Sequence, residues 1–409
     1  MQDKELYHQL LGLKGGWEVT GVGIDFNEKK VDVRVEWSEA KGRCPECGYR
    51  RQIYDIREER KWRHLDTMQY ETVIHCRIPR VTCQRDGVKS MSVPWAEAHS
   101  RFTILFERLA IEVLLGSSDQ TKAKELLRLS WDEVHRIQER GVDRGLERRT
   151  AEMIGYMGVD EKSFGKGIEY VTVVSDIEGG RVWDVAKDRK ESSLKEILDK
   201  MDSKQKEKVD AVAMDMWDPY IRCVEEQMSG STIVHDKFHI SKYMNKAVDK
   251  VRKKENQQFV TEGKELLKGT KYLWLKKPEN WTHHQSDTYQ QLKGLHLKVG
   301  RAWGMKETFV EFWKYQYAKP AEKFFNRWYG WATHSRLQPM IDVAKMLKRR
   351  FDKIVTYFRH RITNAVAEGL NSKIQQIKSA ARGFRNFVNY RIAILFHCGK
   401  LDMLPHSSQ

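Results

Sequence analysis

Cysteine is scarce in this chain of 409 residues: six are present, at positions 44, 47, 76, 83, 223 and 398. So few thiols, so unevenly placed, exclude a disulfide framework as the source of stability. Proline is rare as well, with eight residues, while 40% of the chain is hydrophobic and 32% charged. That balance excludes a disordered polyampholyte and fits two to four globular domains. No uninterrupted apolar run approaches the ~18 residues of a membrane span. The opening MQDKELYHQLLGLKGG lacks the basic-then-apolar order of a secretory signal, so the expected location is cytoplasmic. Acidic residues are short in one region only. Residues 1–240 carry 40 basic and 44 acidic side chains, whereas 241–360 carry 26 and 11, so the whole excess of +16 lies beyond residue 240.

That distribution describes a near-neutral chain with a strongly basic module attached, and the module asks for an anionic partner. Six of the thirteen tryptophans (Trp274, Trp281, Trp303, Trp313, Trp328 and Trp331) fall in the same stretch. Basic side chains track phosphates and aromatic faces stack on unpaired bases, so the mixture suits nucleic acid. The competing reading is a helical core with a solvated Lys/Arg surface.

Cys44-Pro45-Glu46-Cys47-Gly48 places two thiolates at the spacing that grips one zinc ion, with a glycine for the tight turn. Cys83-Gln84-Arg85-Asp86-Gly87 repeats the geometry with a carboxylate in the second position. Cys44, Cys47, Cys83 and Asp86 are therefore the expected ligands of one structural Zn²⁺, with His64, His75 and Cys76 as competitors for the fourth place. Between the half-sites, Tyr70 to Val81 reads as a strand with Thr72, Ile74, Cys76 and Ile78 on one face, which predicts a small β-ribbon.

Residues 101–149 turn helical. Phe102, Leu105, Phe106, Leu109, Val113 and Leu114 keep helical spacing, a second helix covers Gln120–Leu127, and Ser130-Trp131-Asp132-Glu133 is a capping box that opens a long third helix. The trio resembles a helix-turn-helix, whose last helix enters a major groove. Arg136, Arg140, Arg144 and Arg148 recur every four residues on that helix and predict one stripe along a phosphate backbone.

From Tyr156 the pattern becomes β-β-β-α-β-α-β. Strands are expected at Tyr156–Asp160, Glu169–Ser175, Arg181–Ala186, Val209–Met214 and Ser231–Val234, the order of an RNase-H-like fold. In that arrangement Asp160 and Asp215 close neighbouring strands and together suit a hard divalent cation. The helix Thr363–Lys378 has an apolar stripe of Val366, Leu370, Ile374 and Ile377. Its opposite face carries one carboxylate, Glu368, framed by Asn364, Asn371 and Gln375.

These blocks together resemble the insertion-sequence transposases of the ISL-three type, DDE enzymes with a zinc ribbon and a helix-turn-helix. The matching stretches are Cys44-Pro45-Glu46-Cys47-Gly48, Val81-Thr82-Cys83, Val93-Pro94-Trp95-Ala96-Glu97, Gly158-Val159-Asp160-Glu161, Ala213-Met214-Asp215-Met216, Ile362 to Asn371, and Gly383-Phe384-Arg385-Asn386. The resemblance spans nearly the whole chain, from about residue 40 to 400. Asp86 departs from the family pattern, where Cys or His is usual. The resemblance implies that Asp160, Asp215 and Glu368 form a triad holding two Mg²⁺ (or Mn²⁺) ions for phosphoryl transfer. His235-Asp236-Lys237-Phe238-His239 looks like the Asp-x-x-His signature of several DDE transposases, which would bring His239 to the active site. A His235–His239 metal pair and a plain helix cap are its rivals.

The expected architecture is multidomain α+β. It comprises a β-rich region with the zinc ribbon (1–98), a helix-turn-helix (99–150), a first part of the RNase-H-like core (151–240), a basic all-helical insertion (241–358) and the C-terminal part of the core (359–409). The expected partners are double-stranded DNA, both element ends and target, and a second copy of the chain in a synaptic complex at the nucleoid. A nuclease of the same fold without strand transfer, or a non-catalytic regulator, are the alternatives. A tyrosine or serine recombinase lacks a constellation beyond His360-Arg361.

Overall fold

The computed structural model describes residues 3–117, 119–165, 169–362 and 365–406. They form two compact units, one of residues 1–150 with 401–409 and one of residues 151–400. Among the described residues no helix is long and apolar enough to cross a membrane.

The first unit opens with α1 (Asp3–Leu10) and continues through β1 (Trp17–Asp25), β2 (Lys30–Trp37), β3 (Lys41–Arg43), β4 (Arg50–Arg63), β5 (Glu71–Cys83) and β6 (Gly87–Ser90). The strands make one sheet in the order β1-β2-β5-β4-β3, with β6 added to β5. The expected strand between the zinc half-sites is present as β5. It belongs to a larger sheet than a ribbon because β2 pairs with it in parallel, Val33 opposite Ile74. Alternation in β2 turns Val31, Val33 and Val35 inward, onto a core containing Trp17, Trp62 and Trp95. Their rings meet edge to face, with centroids 5.2 Å apart for Trp17–Trp95 and 5.6 Å for Trp62–Trp95.

Three helices follow: α2 (Ile104–Gly116), α3 (Gln120–Leu127) and α4 (Trp131–Arg148). Each start is capped by a side chain, Thr103, Asp119 and Ser130, the last as the full capping box with Glu133. Arg128 adopts a left-handed φ of 54°, ending α3 and turning the chain into α4. The inward face of α2 differs from the expected one: Ile104, Phe106, Ala110, Ile111 and Leu114 are buried, while Leu105 and Leu109 are exposed. Residues 401–406 also belong here and not with the second unit, where a segment 359–409 was expected to end. They lie along α4, where a Cβ on Gly145 would sit 2.5 Å from Leu401 Cβ, so only glycine permits this approach.

The second unit holds a five-stranded sheet in the order β11-β10-β7-β8-β9. Its strands are β7 (Tyr156–Ser163), β8 (Tyr170–Asp176), β9 (Arg181–Lys187), β10 (Ala211–Met214) and β11 (Thr232–His235), with α5 (Glu191–Leu198), α6 (Ser203–Lys208) and α7 (Asp218–Gln227) between them. β7, β8 and β9 form an antiparallel meander, and β10 runs parallel to both β7 and β11. The short apolar β10 is buried along its whole length, as a central parallel strand should be.

Helices then dominate: α8 (Lys237–Thr261), α9 (Lys271–Leu275), α10 (His283–Lys293), α11 (Lys298–Val310), α12 (Ala318–Thr333), α13 (Gln338–Arg349), α14 (Phe351–Val355) and α15 (Tyr357–His360). Their shared core contains Trp274, Phe312, Phe325 and Trp328, with Trp281, Trp303 and Trp313 packed against it. The tryptophans thus serve packing, and of the six only Trp331 is exposed, at 46%. A buried carboxylate fixes the start of α11: the Glu255 oxygens accept from the amides of Lys298 and Val299, both at 2.7 Å. The unit closes with α16 (Ala365–Ala380) and α17 (Phe387–Cys398).

Candidate functional sites

The first site lies in the β-rich unit. Cys44 and Cys47 flank the turn between β3 and β4, and Cys83 and Asp86 flank the turn between β5 and β6. Gly48 and Gly87 turn both loops at φ +73° and +75°. One ligand atom from each of the four residues lies within 4.8 Å of all the others. Cys47 Sγ is 3.6 Å from Cys83 Sγ, and Asp86 Oδ2 is 3.2 Å from Cys83 Sγ and 3.8 Å from Cys44 Sγ. A tetrahedral zinc with bonds of about 2.3 Å to sulfur and about 2.0 Å to oxygen requires edges of about 3.5–3.8 Å, so the donors fit the ion. The Tyr49 amide beside Cys47 holds its thiol below the ordinary value, and the Cys83 thiol beside Asp86 holds that carboxyl low. The three competitors are elsewhere. His64 Nδ1 meets Thr103 Oγ1 at 2.9 Å, and His75 is bracketed by Asp32 at 2.6 Å and Glu59 at 3.0 Å. Cys76 is buried, which pushes its thiol up to about 12.

The second site lies at one edge of the five-stranded sheet. β10 and β7 are in register with Met214 opposite Val159, so the residues that follow, Asp215 and Asp160, emerge side by side. Asp215 Oδ2 is 3.3 Å from His239 Nδ1. The Tyr243 hydroxyl donates toward Asp215 from 3.4 Å. Asp160 Oδ1 accepts from the Glu161 amide at 2.8 Å and Oδ2 from Asn371 Nδ2 at 2.5 Å. Burial alone would lower His239, but the Asp215 carboxylate overcomes it and holds the imidazole above its ordinary value. In turn burial opposes the charge on Asp215, while His239 and the Met216 amide bring its carboxyl below the usual range.

Glu368 is exposed on α16, one turn before Asn371 and on the same side of the helix. Asp160, Asp215 and Glu368 do not converge within 4.8 Å of one another among the described residues. Each of the two strand carboxylates is instead held by its own polar partner. Gln375 is exposed and donates to Ser379 Oγ at 3.3 Å, and Asn364 lies outside the described residues. Of the rival readings for the His235–His239 segment, the helix cap is present, since Asp236 accepts from the Phe238 amide at 3.0 Å. His235 is wholly buried with Nδ1 3.4 Å from the Met214 carbonyl, and it joins no ligand cluster with His239 among the described residues.

Two neighbours were missed from sequence. Tyr243 stands one turn beyond His239, a spacing from which it was readable. Glu161 is raised by burial and pairs with Arg189 at 3.0 Å. Nothing in the local pattern distinguishes it from any acid beside Asp160.

The arginines of α4 do not form the exposed stripe their spacing predicts. Arg144 binds Glu97 and the buried Glu107, both at 2.7 Å, and also meets the Met403 carbonyl. Arg140 pairs with the same two carboxylates. Arg148 donates to the Asp402 and Leu404 carbonyls at 2.9 and 2.8 Å. These three arginines fasten α4 to α2 and to residues 402–404, and Arg136 alone of the four is exposed.

Comparison with known proteins agrees with this layout. A family profile described as Transposase, for the DDE domain of ISL3 elements, matches residues 157–394. A second, the zinc-finger of transposase IS204/IS1001/IS1096/IS1165, matches 40–86, and the helix-turn-helix domain of transposase family ISL3 matches 91–142. The chain is 25% identical over 405 residues to the transposase for insertion sequence element IS1001 of Bordetella parapertussis, covering 94% of this chain and 96% of that one. It is 24% identical over 422 residues to the transposase for IS1557 of Mycobacterium tuberculosis, covering 94% and 93%. With more than half its length matched by the DDE profile, and the zinc-finger and helix-turn-helix profiles in order before it, the chain belongs to the ISL3 family of transposases.

Proposed function

We propose that this chain binds the terminal inverted repeats of an insertion sequence and catalyses divalent-metal-dependent DNA cleavage and strand transfer. The chemistry is assigned to an RNase-H-like core interrupted by the basic helical insertion, residues 241–358. The observation that carries the reading is the side-by-side emergence of Asp160 and Asp215 from parallel strands, with α16 reaching Asp160 through Asn371. Asp160, Asp215 and Glu368 would hold two Mg²⁺ or Mn²⁺ ions, since their hard oxygens suit those cations. When bound, the ions supply Lewis acidity for an oxygen nucleophile and charge stabilisation for the leaving 3′-oxygen. The chain's own residues do the rest. His239 and Tyr243 orient Asp215, and Asn371 orients Asp160.

Cys44, Cys47, Cys83 and Asp86 would hold zinc, which would stiffen the two turns of the first unit. Duplex contact is assigned to α3 and the first turns of α4, where Lys122 and Arg136 are exposed. Synapsis of two element ends asks for at least a dimer.

The test uses duplex DNA carrying the element's ends. Asp160→Ala should abolish nicking and joining while leaving end-binding unchanged. Nicking retained by that variant refutes the triad. Cleavage without joining to a second duplex assigns the chain to the nuclease alternative.

A further inference from the structure

A groove of about 350 Å³ lies between α8 and α9, lined by Phe238, Lys242, Asn245, Lys246, Asp249 and Lys271. Its size is in the range of small-ligand sites. Phe238, Lys242, Asn245 and Asp249 succeed one another at three- and four-residue steps, so they share one face of α8. Three lysines and one aspartate line it. Asp249 is already paired with Arg252 at 2.8 Å and Lys253 at 3.1 Å, so the groove presents net positive charge. Phe238 leaves 53% of its surface exposed at the groove wall, its ring and that of His239 meeting T-shaped at 5.8 Å. A cationic wall beside an exposed aromatic side chain is what an unpaired nucleotide requires.

The groove also adjoins the carboxylate site. Lys246 Nζ lies 5.9 Å from the Tyr243 ring, whose hydroxyl reaches Asp215, and Phe238 precedes His239, which does the same. We propose that the groove binds a short single-stranded DNA segment beside the scissile phosphodiester. One unstacked base lies on Phe238, and its flanking phosphates lie on Lys242, Lys246 and Lys271. An intact duplex presents no free base face, so the ligand is a frayed or already cleaved end. The identity of the strand rests on the transposase reading, but binding by the groove requires no catalysis.

The test is fluorescence anisotropy of the full chain, without divalent ions, using fluorescein-labelled pentathymidylate and, separately, a 20-base-pair duplex. Phe238→Ala should weaken pentathymidylate binding about tenfold, within the range for one stacked base, and leave duplex binding unchanged. Phe238→Trp should restore it, which a merely misfolded variant would not explain. Lys242→Gln with Lys246→Gln should lower the salt slope for the oligonucleotide by about 1.4, or about 0.7 for each phosphate no longer neutralised. Unchanged oligonucleotide affinity in Phe238→Ala, or an equal loss on duplex, overturns the proposal. A chain that binds the oligonucleotide as expected but joins no ends leaves the groove standing and refutes strand transfer alone.

Discussion

In the proposed zinc site Asp86 would be a hard ligand among three soft ones, placed by a glycine-ended turn like the one that places Cys47. Zinc tolerates a carboxylate, but thiolates hold it more tightly in closed structural sites. Purified Asp86→Ala should lose zinc to a chromogenic chelator at least tenfold faster than the parent, and Asp86→Cys should lose it more slowly. An alanine variant that keeps one zinc at the parental release rate would remove Asp86 from the ligand set. His64, which lies outside the cluster of Cys44, Cys47, Cys83 and Asp86, has another consequence. Burial lowers its pKa from 6.5 to about 4. Between those values the unfolded chain holds a proton that the folded chain does not, so stability falls as pH drops through 6.5 toward 4. The loss is at most about 1.4 kcal/mol per pH unit for one such group. Thermal melts at pH 7 and pH 5 should therefore show a smaller drop in Tm for His64→Gln than for the parent. An identical drop would mean that His64 does not stay neutral on folding.

Among the elements, those with a local signature were legible. The capping box at Ser130 and the two half-sites ending in Gly48 and Gly87 stand where short-range pattern puts them, whereas β7 runs on to Ser163, three residues past Asp160, where the strand was expected to end. Periodicity reports which residues share a face but not what that face meets. Hence the arginines of α4 read as a DNA stripe, although their partners Glu97, Glu107 and residues 402–404 lie tens to hundreds of positions away. The parallel pairing of β2 with β5 was hidden for the same reason, since each strand alone shows only alternation. The fit of residues 401–403 on α4 is open to direct test. At Gly145 an added Cβ would lie 2.5 Å from the Leu401 Cβ, a clash that no rotamer relieves. Gly145→Ala should destabilise the first unit by about 1–3 kcal/mol, the usual cost of overpacking, even though alanine is the better helix former. Denaturant titration followed by tryptophan fluorescence measures it. A stabilised variant would show that residues 401–403 do not hold that position.

For the whole molecule, the decisive property is the uneven charge. The excess of +16 lies beyond residue 240, while the modules that match the zinc-finger and helix-turn-helix profiles lie within the near-neutral first part. Tryptophan stacking does not explain the basic region, because five of its six tryptophans belong to or pack against the helical core. What remains is a cationic surface suited to sequence-independent phosphate binding. Lys250, Lys254, Lys319 and Lys323 are exposed on that surface. Replacing all four by glutamine should reduce the salt slope of binding to random duplex by up to about 0.9 for each phosphate that is no longer neutralised. The affinity ratio between an inverted-repeat duplex and a random one should stay unchanged, because phosphate contacts position DNA without reading it. Gel shifts of both duplexes across a salt series decide the matter. A collapsed ratio would place sequence recognition in the basic region, and an unchanged slope would mean that its lysines face no DNA at all.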